Sequence, residues 1–589
     1  MNLLQVLNQN RKKPLIASLC NGKGICGKCR VEFLKPVEIS PYTEQEKKII
    51  TPENLGKIRL ACQVILKSNA ELLILDLINE EDSVFKIIDS YKTFLLKYQF
   101  NPRMIQIEFN SSIYKKIENF HSFSSIKLSN AMKQNILNKF NSIKDNQIVT
   151  KRFFTVDQEE NKIIKISQRK FFLIGVVIDL GTTSIVLTLI NLDNGQILSS
   201  ESILNPQIKY GRDIISRMTY SILSLQHQSE LQDLVLDEIL RAIKLNLKKE
   251  KLNPNNILEI IVVGNTVMHH LINSFPLSKL AKAPFSPVTT SMISKPLESF
   301  SEKNILINFK NCVITFPPLI GGFIGSDAVA DILYLDLRNL AGTHLLIDFG
   351  TNSEIIIVKN RKVYAASVAA GGAFEGQHIS CGMRGINGAI ERFKIQNSKF
   401  IFQTISSEKP KGICGSGIID VLAQLLIHGY LDGRGRLFDQ SSNKIEKLVL
   451  VKKEDYYVEK DIYLSRKDIE EIQKAKAATM AAIRILLDYL HIELKDLTNI
   501  HIAGVFGSNL DLGNAKKIGL LPNIIDEKII IHGNIAEKGA RSYLLSMDAR
   551  KEAEIIVRCV EKIDLTNFPK FQVYFSEELF FPDYKEELG

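Results

Sequence analysis

The chain has 589 residues, which is too many for one hydrophobic core, so several domains are expected. Its 45% hydrophobic and 24% charged residues are typical of a folded globular protein and exclude an intrinsically disordered one. The formal net charge of +10 is spread along the sequence, with no compact basic tract interleaved with aromatic residues. This distribution argues against a nucleic-acid partner.

The sequence predicts a cytoplasmic protein without a membrane partner. Met1–Asn10 lacks a charged start followed by an apolar run, so no signal peptide is expected. The longest apolar span, Phe171–Ile190, is nearly long enough to cross a membrane, but Asp179 and Gly181 lie in its middle. Because a carboxylate at that depth is costly, two strands are predicted there instead of a membrane helix.

Four of the eight cysteines fall in the first 62 residues, as Cys20-x5-Cys26-x2-Cys29 followed by Cys62. Without an export signal, this grouping favours a metal site over a disulfide framework. The glycine-rich loop between Cys20 and Cys29 can aim backbone N–H groups at inorganic sulfur. A four-cysteine zinc site usually contains two Cys-x2-Cys pairs. Only one is present here, so an iron–sulfur cluster is favoured and zinc is the alternative.

The segments CGKCRV and RLACQ, with this cysteine spacing, resemble the plant-type and adrenodoxin-type [2Fe–2S] ferredoxins. The resemblance implies a β-grasp ferredoxin-like domain in which Cys20, Cys26, Cys29 and Cys62 bind a [2Fe–2S] cluster. Such domains normally begin with a β-hairpin before the residues that match Leu3–Ile16. We therefore expect either that the first hairpin is missing, which would leave a sheet edge exposed, or that the recorded start is wrong.

A repeated hairpin pattern organises the larger part of the chain. Val176–Ile190 reads VVIDLGTTSIVLTLI, which predicts a strand, a tight turn and a returning strand. From Leu345 the chain reads LLIDFGTNSEIIIV and repeats Ile-Asp-x-Gly-Thr. The duplication predicts a two-lobed domain with one turn from each lobe facing a shared cleft. In such turns the glycine admits a phosphate chain, the threonine hydroxyls donate to it, and the aspartate can hold Mg²⁺.

These turns resemble the phosphate-1 and phosphate-2 motifs of ASKHA proteins, the superfamily of acetate and sugar kinases, heat-shock chaperone ATPases and actin. Ile500–Leu510, IHIAGVFGSNL, resembles the adenosine loop of that superfamily, and Gly533–Ala540 resembles the helix that joins its lobes. The resemblance implies ATP and Mg²⁺ as cofactors. It assigns phosphate binding to Gly181, Thr182, Thr183, Gly350, Thr351 and Asn352, magnesium binding to Asp179 and Asp348, and adenosine binding to Gly504 and Gly507.

Three further segments of this region are candidates for binding a ligand or a partner. Val263–His270 runs from an apolar strand into a helix and could present N–H groups to an anion. Its adjacent histidines cannot face one metal from a helix. The glycine-rich segment 369–388 implies close backbone approach or mobility, and we expect it to meet a partner or to move with nucleotide state. Lys411–Asp420 opens a helix and could hold a phosphate or ribose.

The middle of the chain, from about residue 70 to 170, carries no chemical motif. Met104–Phe109 and Ile163–Ser167 alternate like strands, and Ser83–Phe100 has partly helical spacing. The predicted domains are a [2Fe–2S] ferredoxin-like domain at 1–75, a linker and middle domain at 76–170, and an ASKHA-type ATP-binding domain at 171–589.

Nearly the whole chain resembles the reductive activators of corrinoid-dependent enzymes, and the segments GNTVMHHL, AFEG, CGMRG, GICGSGIID and IGLLP add to the domain order. Members of that family restore methyltransferase corrinoid proteins whose cobalt has slipped from Co(I) to inactive Co(II). The resemblance implies a multidomain α/β and α+β fold with a β-grasp domain, a small α+β middle domain and a two-lobed actin-like ATPase. It implies an ATP-dependent redox activator of a corrinoid protein, supplied by an unidentified low-potential electron donor, and it leaves a homodimer open.

Three alternatives belong to other functional classes. A sugar or acid kinase would use the same cleft with Asp327 as base. An activator of the 2-hydroxyacyl-CoA dehydratase type would share a [4Fe–4S] cluster between two chains through Cys381 and Cys414. A redox-sensing regulator would bind ATP without turnover. The remaining cysteines, Cys312 and Cys559, are expected to be small buried hydrophobes.

Overall fold

The computed structural model describes most of residues 171–589 and parts of the N-terminal third. The described residues are 3, 29–33, 39–50, 54–65, 72–74, 104–110, 151–157, 162–167 and 171–582, except for 212, 301–308, 310, 311, 457, 459 and 505–509. The predicted helical segment Ser83–Phe100 lies outside them. The chain divides into two compact units, Met1–Leu95 and Leu96–Gly589.

The N-terminal unit contains a three-stranded antiparallel sheet of order β2-β1-β3. Helix α1 begins with a capping box between Thr43 and Glu46, which satisfies two backbone N–H groups. The Glu46 carboxylate also pairs with Arg59 at 2.9 Å, with both side chains buried. This pair fixes the helix on the sheet. The elements are β1 (Arg30–Phe33), α1 (Glu44–Ile49), β2 (Ile58–Leu60) and β3 (Leu72–Ile74).

A second three-stranded antiparallel sheet, of order β4-β5-β6, precedes the ATPase region. Its strands are β4 (Met104–Asn110), β5 (Lys151–Asp157) and β6 (Lys162–Ser167). Both strands predicted from sequence alternation in this part of the chain are therefore confirmed.

The first lobe is a six-stranded sheet of order β11-β12-β10-β7-β8-β9. The apolar span that opens it forms the antiparallel hairpin β7–β8, so the prediction of two strands is confirmed. The strands are β7 (Ile174–Leu180), β8 (Ser184–Asn191), β9 (Ile197–Leu204), β10 (Ile257–Val263), β11 (Ile293–Pro296) and β12 (Val313–Phe316). The helices are α2 (Ile214–Ile222), α3 (Leu225–Lys249), α4 (Thr266–Ile272) and α5 (Ser326–Leu335).

The second lobe is built on a six-stranded sheet of order β24-β23-β13-β14-β15-β25. Its strands are β13 (Thr343–Asp348), β14 (Ser353–Lys359), β15 (Lys362–Val368), β23 (Asn499–Ala503), β24 (Ile529–Gly533) and β25 (Val560–Lys562). The peripheral strands are β16 (Ala389–Gln396), β17 (Lys399–Thr404), β18 (Gly412–Ile413), β19 (Leu437–Phe438), β20 (Lys444–Ile445), β21 (Lys447–Val451) and β22 (Ile462–Ser465). The helices are α6 (Gly415–Ile427), α7 (Lys453–Tyr456), α8 (Arg466–Leu490), α9 (Leu512–Lys517), α10 (Ile535–Leu545), α11 (Met547–Cys559) and α12 (Lys570–Glu578).

The two large sheets repeat one arrangement of five strands. In the first, β7, β8 and β9 form an antiparallel meander, and β10 and β12 continue the sheet in parallel beyond β7. In the second, β13, β14 and β15 form the meander, and β23 and β24 continue it beyond β13. The sequence repeat therefore corresponds to a repeated half-domain, and each half carries its Asp-x-Gly-Thr turn at the same place.

Helices α5, α10 and α11 lie between the two sheets and share one apolar core with both. Helix α10 approaches α5 closely at Gly539, where a Cβ atom would lie 2.0 Å from the carbonyl oxygen of Ala330. Any larger residue at Gly539 would push the two helices apart. None of the described helices is both long and apolar enough to cross a membrane.

One sequence expectation about the core is wrong. Cys312 is buried as predicted, but Cys559 is exposed. Cys559 is the last residue of α11, and Ile556, one turn earlier, is buried in the core between the sheets. The helix therefore runs past the end of the core before its last side chain.

A buried ion pair ties the first lobe to α11. The Arg550 guanidinium donates to both oxygens of Glu259 on β10, at 3.1 and 2.8 Å. The Arg550→Met variant leaves the Glu259 charge buried, so the free energy of unfolding should fall by about 3–5 kcal/mol. Urea denaturation measures this loss. The control variant Lys551→Met, at a neighbouring exposed residue, should change the free energy of unfolding by less than about 0.5 kcal/mol. An equally small effect of Arg550→Met would contradict the expectation.

Candidate functional site

The two Asp-x-Gly-Thr turns meet face to face. The turn after β7 and the turn after β13 come from different lobes, and the hydroxyl oxygens of Thr183 and Thr351 lie 3.2 Å apart. Both residues are almost fully buried. The structure thus brings together the predicted phosphate-binding residues Gly181, Thr182, Thr183, Gly350, Thr351 and Asn352.

The carboxyl groups predicted to hold magnesium lie in an excess of negative charge. Burial, together with the charges of Asp327 and Glu537, raises the pKa of Asp179 to about 7. Burial also raises the pKa of Asp348 to about 6, with a contribution from the charge of Asp179. The pKa of Asp327 rises to about 7 for the same reason. A divalent cation is the natural compensation for this charge.

Asp331 is a member of this cluster that sequence reasoning missed. Its side chain is fully buried, and its pKa is raised well above the ordinary value, first by burial and then by the charge of Asp348. Both carboxyl oxygens of Asp331 are buried and have no hydrogen-bond partner among the described residues. The charge of Asp327 also raises the pKa of Asp331. Asp327 and Asp331 are one turn apart on α5, a spacing that puts both on one helix face.

The predicted adenosine strand lies directly beside the second phosphate turn. Strand β23 pairs in parallel with β13, so that Ala503 is opposite Asp348. Gly504 follows with φ +92°, and a Cβ there would lie 2.2 Å from the carbonyl oxygen of Phe349. Only glycine fits this backbone position. Gly507 lies outside the described residues.

These residues fit a magnesium nucleotide. The Asn352 side-chain amide nitrogen is buried and has no hydrogen-bond partner among the described residues, so a donor in the second turn is available for a phosphate oxygen. Asp179 and Asp348, at the ends of equivalent strands, supply oxygen atoms of the type that Mg²⁺ prefers. Asp179 accepts a hydrogen bond of 2.7 Å from Asn534, the residue that caps α10.

The raised pKa values predict how magnesium binding depends on pH. The folded protein holds protons on Asp179 and Asp348 that the unfolded chain would release. The stability of the metal-free protein should therefore fall as the pH rises from about 4 to about 7. Mg²⁺ binds the ionised carboxylates. It should therefore raise the melting temperature by a few degrees more at pH 8 than at pH 6. Thermal denaturation at both pH values tests this, and a smaller difference is expected for Asp179→Asn, which has one titrating carboxyl group fewer.

Two side chains that were not predicted as site residues hold the first phosphate turn. The fully buried Arg217 donates to the Thr182 carbonyl oxygen at 2.6 Å, and Asn265 donates to the Thr182 hydroxyl at 3.2 Å. Asn265 also caps α4, so the prediction that Val263–His270 leads from a strand into a helix is confirmed. Arg217 lies in an ordinary-looking amphipathic helix, and nothing in the sequence marks it.

The predicted cluster ligands are described only in part. Cys29 and Cys62 are both buried in the core of the N-terminal unit, and the Ala61 N–H donates to the Cys29 carbonyl oxygen at 2.7 Å. The two segments that carry these sulfur atoms are therefore adjacent, as one shared cluster requires. Cys20 and Cys26 lie outside the described residues. Within the described part of the chain, including the carboxyl groups of the cleft, no three His, Cys, Asp or Glu side chains are placed so that they could hold one metal ion.

The cysteines considered for a shared cluster are buried inside the second lobe. Cys381 and Cys414 are each 4% exposed. The Cys414 thiol donates to the Ile390 carbonyl oxygen at 3.2 Å, and the Cys381 thiol to the Asp461 carbonyl oxygen at 3.7 Å. Thiols satisfied in this way do not face a second chain. The segment Lys411–Asp420 does open a helix, since α6 begins at Gly415.

Comparison with protein families covers most of the chain. Residues 174–340 match the family model described as the RACo middle region, and residues 342–588 match the model described as the C-terminal domain of RACo, the ASKHA domain. The corrinoid activation enzyme RamQ of Eubacterium limosum is 34% identical over 424 residues, which is 69% of this chain and 70% of that protein. The [Co(II) methylated amine-specific corrinoid protein] reductase of Methanosarcina barkeri is 25% identical over 420 residues, covering 66% of this chain and 72% of that protein.

A solved structure extends the likeness to the full length. The reductive activator for corrinoid, iron-sulfur protein superposes with a TM-score of 0.72 at 26% identity, covering 100% of this chain and 96% of that one. The predicted multidomain fold with a two-lobed ASKHA domain is confirmed by these comparisons. The chain belongs to the family of reductive activators of corrinoid-dependent enzymes.

Proposed function

We propose that this protein uses ATP to reduce the Co(II) form of a methyltransferase corrinoid protein to Co(I). The observation that carries the proposal is the adjacency of Cys29 and Cys62 in one core, within a chain whose residues 342–588 match an ASKHA domain. A kinase has no use for such a cysteine set. The names of both relatives, a corrinoid activation enzyme and a reductase acting on a corrinoid protein, support the same reaction.

The cysteines Cys20, Cys26, Cys29 and Cys62 would hold a [2Fe–2S] cluster, which supplies one electron at low potential when bound. Plant-type clusters lie near about −400 mV. Reduction of Co(II) in a corrinoid is harder still, so the transfer runs uphill without another source of free energy. At roughly 1.4 kcal/mol per 59 mV for one electron, a gap of a few hundred millivolts amounts to several kcal/mol. This is within reach of ATP hydrolysis or of differential partner binding.

The chain's own residues provide the coupling through the cleft between the lobes. Asp179 and Asp348 would position Mg²⁺, and the turns at Thr183 and Thr351 would hold phosphates from opposite lobes. Because each turn is fixed to its own sheet, a nucleotide bound between the turns changes the position of one lobe relative to the other. The free energy of that change is then available to favour reduction of the docked corrinoid protein or its release.

The test is anaerobic and spectroscopic. The protein is reduced with dithionite and mixed with a Co(II) corrinoid protein, with and without MgATP, while Co(I) absorbance is followed. Co(I) that forms only with ATP and with the intact protein supports the proposal. A reduced [2Fe–2S] signal with no ATP-dependent Co(I) would overturn it and leave the cluster assignment standing. Phosphate transfer to a small hydroxyl compound would indicate the kinase alternative.

A further inference from the structure

Four side chains form a closed ring of hydrogen bonds across the cleft. Thr183 comes from the first lobe, while Thr351, Glu375 and Gln377 come from the second. Gln377 Nε2 lies 2.6 Å from Thr183 Oγ1 and 3.1 Å from Glu375 Oε2. Thr351 Oγ1 lies 3.0 Å from Glu375 Oε1 and 3.2 Å from Thr183 Oγ1, which closes the ring.

The donor count fixes the direction of every bond in this ring. A carboxylate can only accept, so Thr351 gives its hydroxyl hydrogen to Glu375. Gln377 gives one amide hydrogen to Glu375 and the other to Thr183. The Thr183 hydroxyl hydrogen is then directed to the Thr351 oxygen. Each threonine hydroxyl therefore donates its only hydrogen to another member of the ring. A phosphate oxygen can accept from these hydroxyls only if the ring opens.

The ring attaches the glycine-rich segment 369–388 to both phosphate turns. Arg384 donates to the Thr183 carbonyl oxygen at 2.9 Å, and the Gly371 N–H donates to the Thr351 carbonyl oxygen at 2.9 Å. Glu375 ends a single short 3₁₀ turn, Ala373–Glu375, and is followed by Gly376 with φ +79°. Ala373 and Phe374 anchor this turn in the core of the second lobe, whereas Glu375 and Gln377 are only half-buried, so these two side chains can leave the ring while the turn stays in place.

Glu375 and a terminal phosphate have the same chemistry at this point. Both are anions, and both can accept the hydroxyl hydrogen of Thr351. Glu375 and the phosphate cannot occupy the site together, because their negative charges repel each other and the Thr351 hydroxyl can donate to only one of them. The γ-phosphate of ATP has three terminal oxygens and can accept from both lobes at once, whereas ADP lacks that group.

We propose that Glu375 and Gln377 compete with the γ-phosphate for Thr183 and Thr351, and so make the cleft distinguish ATP from ADP. The inference rests on the proposed function, in which these threonines bind phosphate. ATP displaces Glu375 and releases the segment 369–388 from the first lobe. ADP leaves the ring closed.

Glu375→Gln tests the competition, because it removes the negative charge and keeps the shape of the side chain. Binding of the nonhydrolysable analogue AMPPNP with Mg²⁺ should tighten about tenfold, since a like-charged neighbour is lost. Binding of MgADP should change less than about twofold. Glu471→Gln makes the same charge change at an exposed site on α8 and should leave both affinities as they are in the wild type. Weaker AMPPNP binding by Glu375→Gln, or an equal gain for ADP, would overturn the inference.

Hydrogen exchange on the wild-type protein gives a second, independent readout. AMPPNP should speed amide exchange in residues 371–384 and MgADP should not. If AMPPNP slows exchange there, Glu375 and Gln377 contact the bound nucleotide and the competition is wrong. A wild-type protein that binds neither nucleotide would overturn the proposed function along with this inference, whereas binding without any ATP–ADP difference on substitution overturns the inference alone.

Discussion

Replacing Asp348 with asparagine is expected to lower ATP-dependent Co(I) formation about a hundredfold or more and, at the same time, to raise the thermal stability of the metal-free protein. The two effects have one cause. Asp348 lies among Asp179, Asp327, Asp331 and Glu354, and burial with mutual repulsion raises the pKa values of this group. Removing one charge relieves the repulsion. It also removes one of the two carboxylates that we propose to position Mg²⁺.

The opposite directions of these changes separate a functional role from a structural one. A variant that merely misfolds loses both activity and stability, so a higher melting temperature with lost activity can only come from the charge. Asp548→Asn, at an exposed position in the first turn of α11, is the matched control and should retain wild-type activity. An Asp348→Asn protein that still forms Co(I) at the wild-type rate would show that this carboxylate does not position the metal.

Local patterns predicted the hairpins because every residue that defines them is close in sequence. The strand β7, its turn and the strand β8 follow each other within 18 residues, and alternation, glycine and aspartate mark each boundary. The repeat at β13 and β14 then implied two lobes. What the repeat could not show is the 3.2 Å contact between Thr183 and Thr351, because it depends on how the two sheets pack around α5, α10 and α11.

The ring of Glu375 and Gln377 shows where sequence reasoning stops. The glycine content of residues 369–388 indicated a special backbone and a segment that moves or meets a partner, but it did not indicate which side chain reaches the other lobe. Gln377 contacts Thr183, which is 194 positions earlier, and no local periodicity encodes such a contact. Asp331 is different. The segment GSDAVAD shows Asp331 four residues after Asp327, a spacing that places both on one helix face. From the sequence, only Asp327 was considered, as a catalytic base, and the second carboxyl group was therefore missed.

The N-terminal unit shows the same division between local pattern and packing. The cysteine spacing indicated a four-thiolate site, and the described structure adds that Cys29 and Cys62 lie on adjacent segments within one core. The buried pair of Glu46 and Arg59, which positions α1 on the sheet, was not predictable, since isolated charged residues in a sequence are usually solvated. Arg59 is three residues before Cys62, so loss of this buried pair should also disturb the packing around Cys62.

Replacing Cys62 with serine is therefore expected to abolish the reduced [2Fe–2S] spectrum and, with it, ATP-dependent Co(I) formation. An alkoxide is a far poorer ligand than a thiolate for iron in such a cluster. Nucleotide affinity should stay within about twofold of the wild type, because the cysteine lies in the N-terminal unit and the cleft in the other. EPR after dithionite, iron analysis and nucleotide titration measure the three quantities on one preparation.

Cys559→Ser makes the same chemical change at the exposed thiol that ends α11, and it should leave iron content, spectrum and Co(I) formation unchanged.

Metal analysis of the wild type decides between the two metal centres that the cysteine spacing allows, an iron–sulfur cluster and a zinc site. Two irons and two sulfides per chain, lost together in Cys62→Ser, establish the [2Fe–2S] assignment. One zinc per chain would instead make the N-terminal unit structural. The electron would then have to come from outside the chain, and the reductive activator would need a separate redox partner for every turnover.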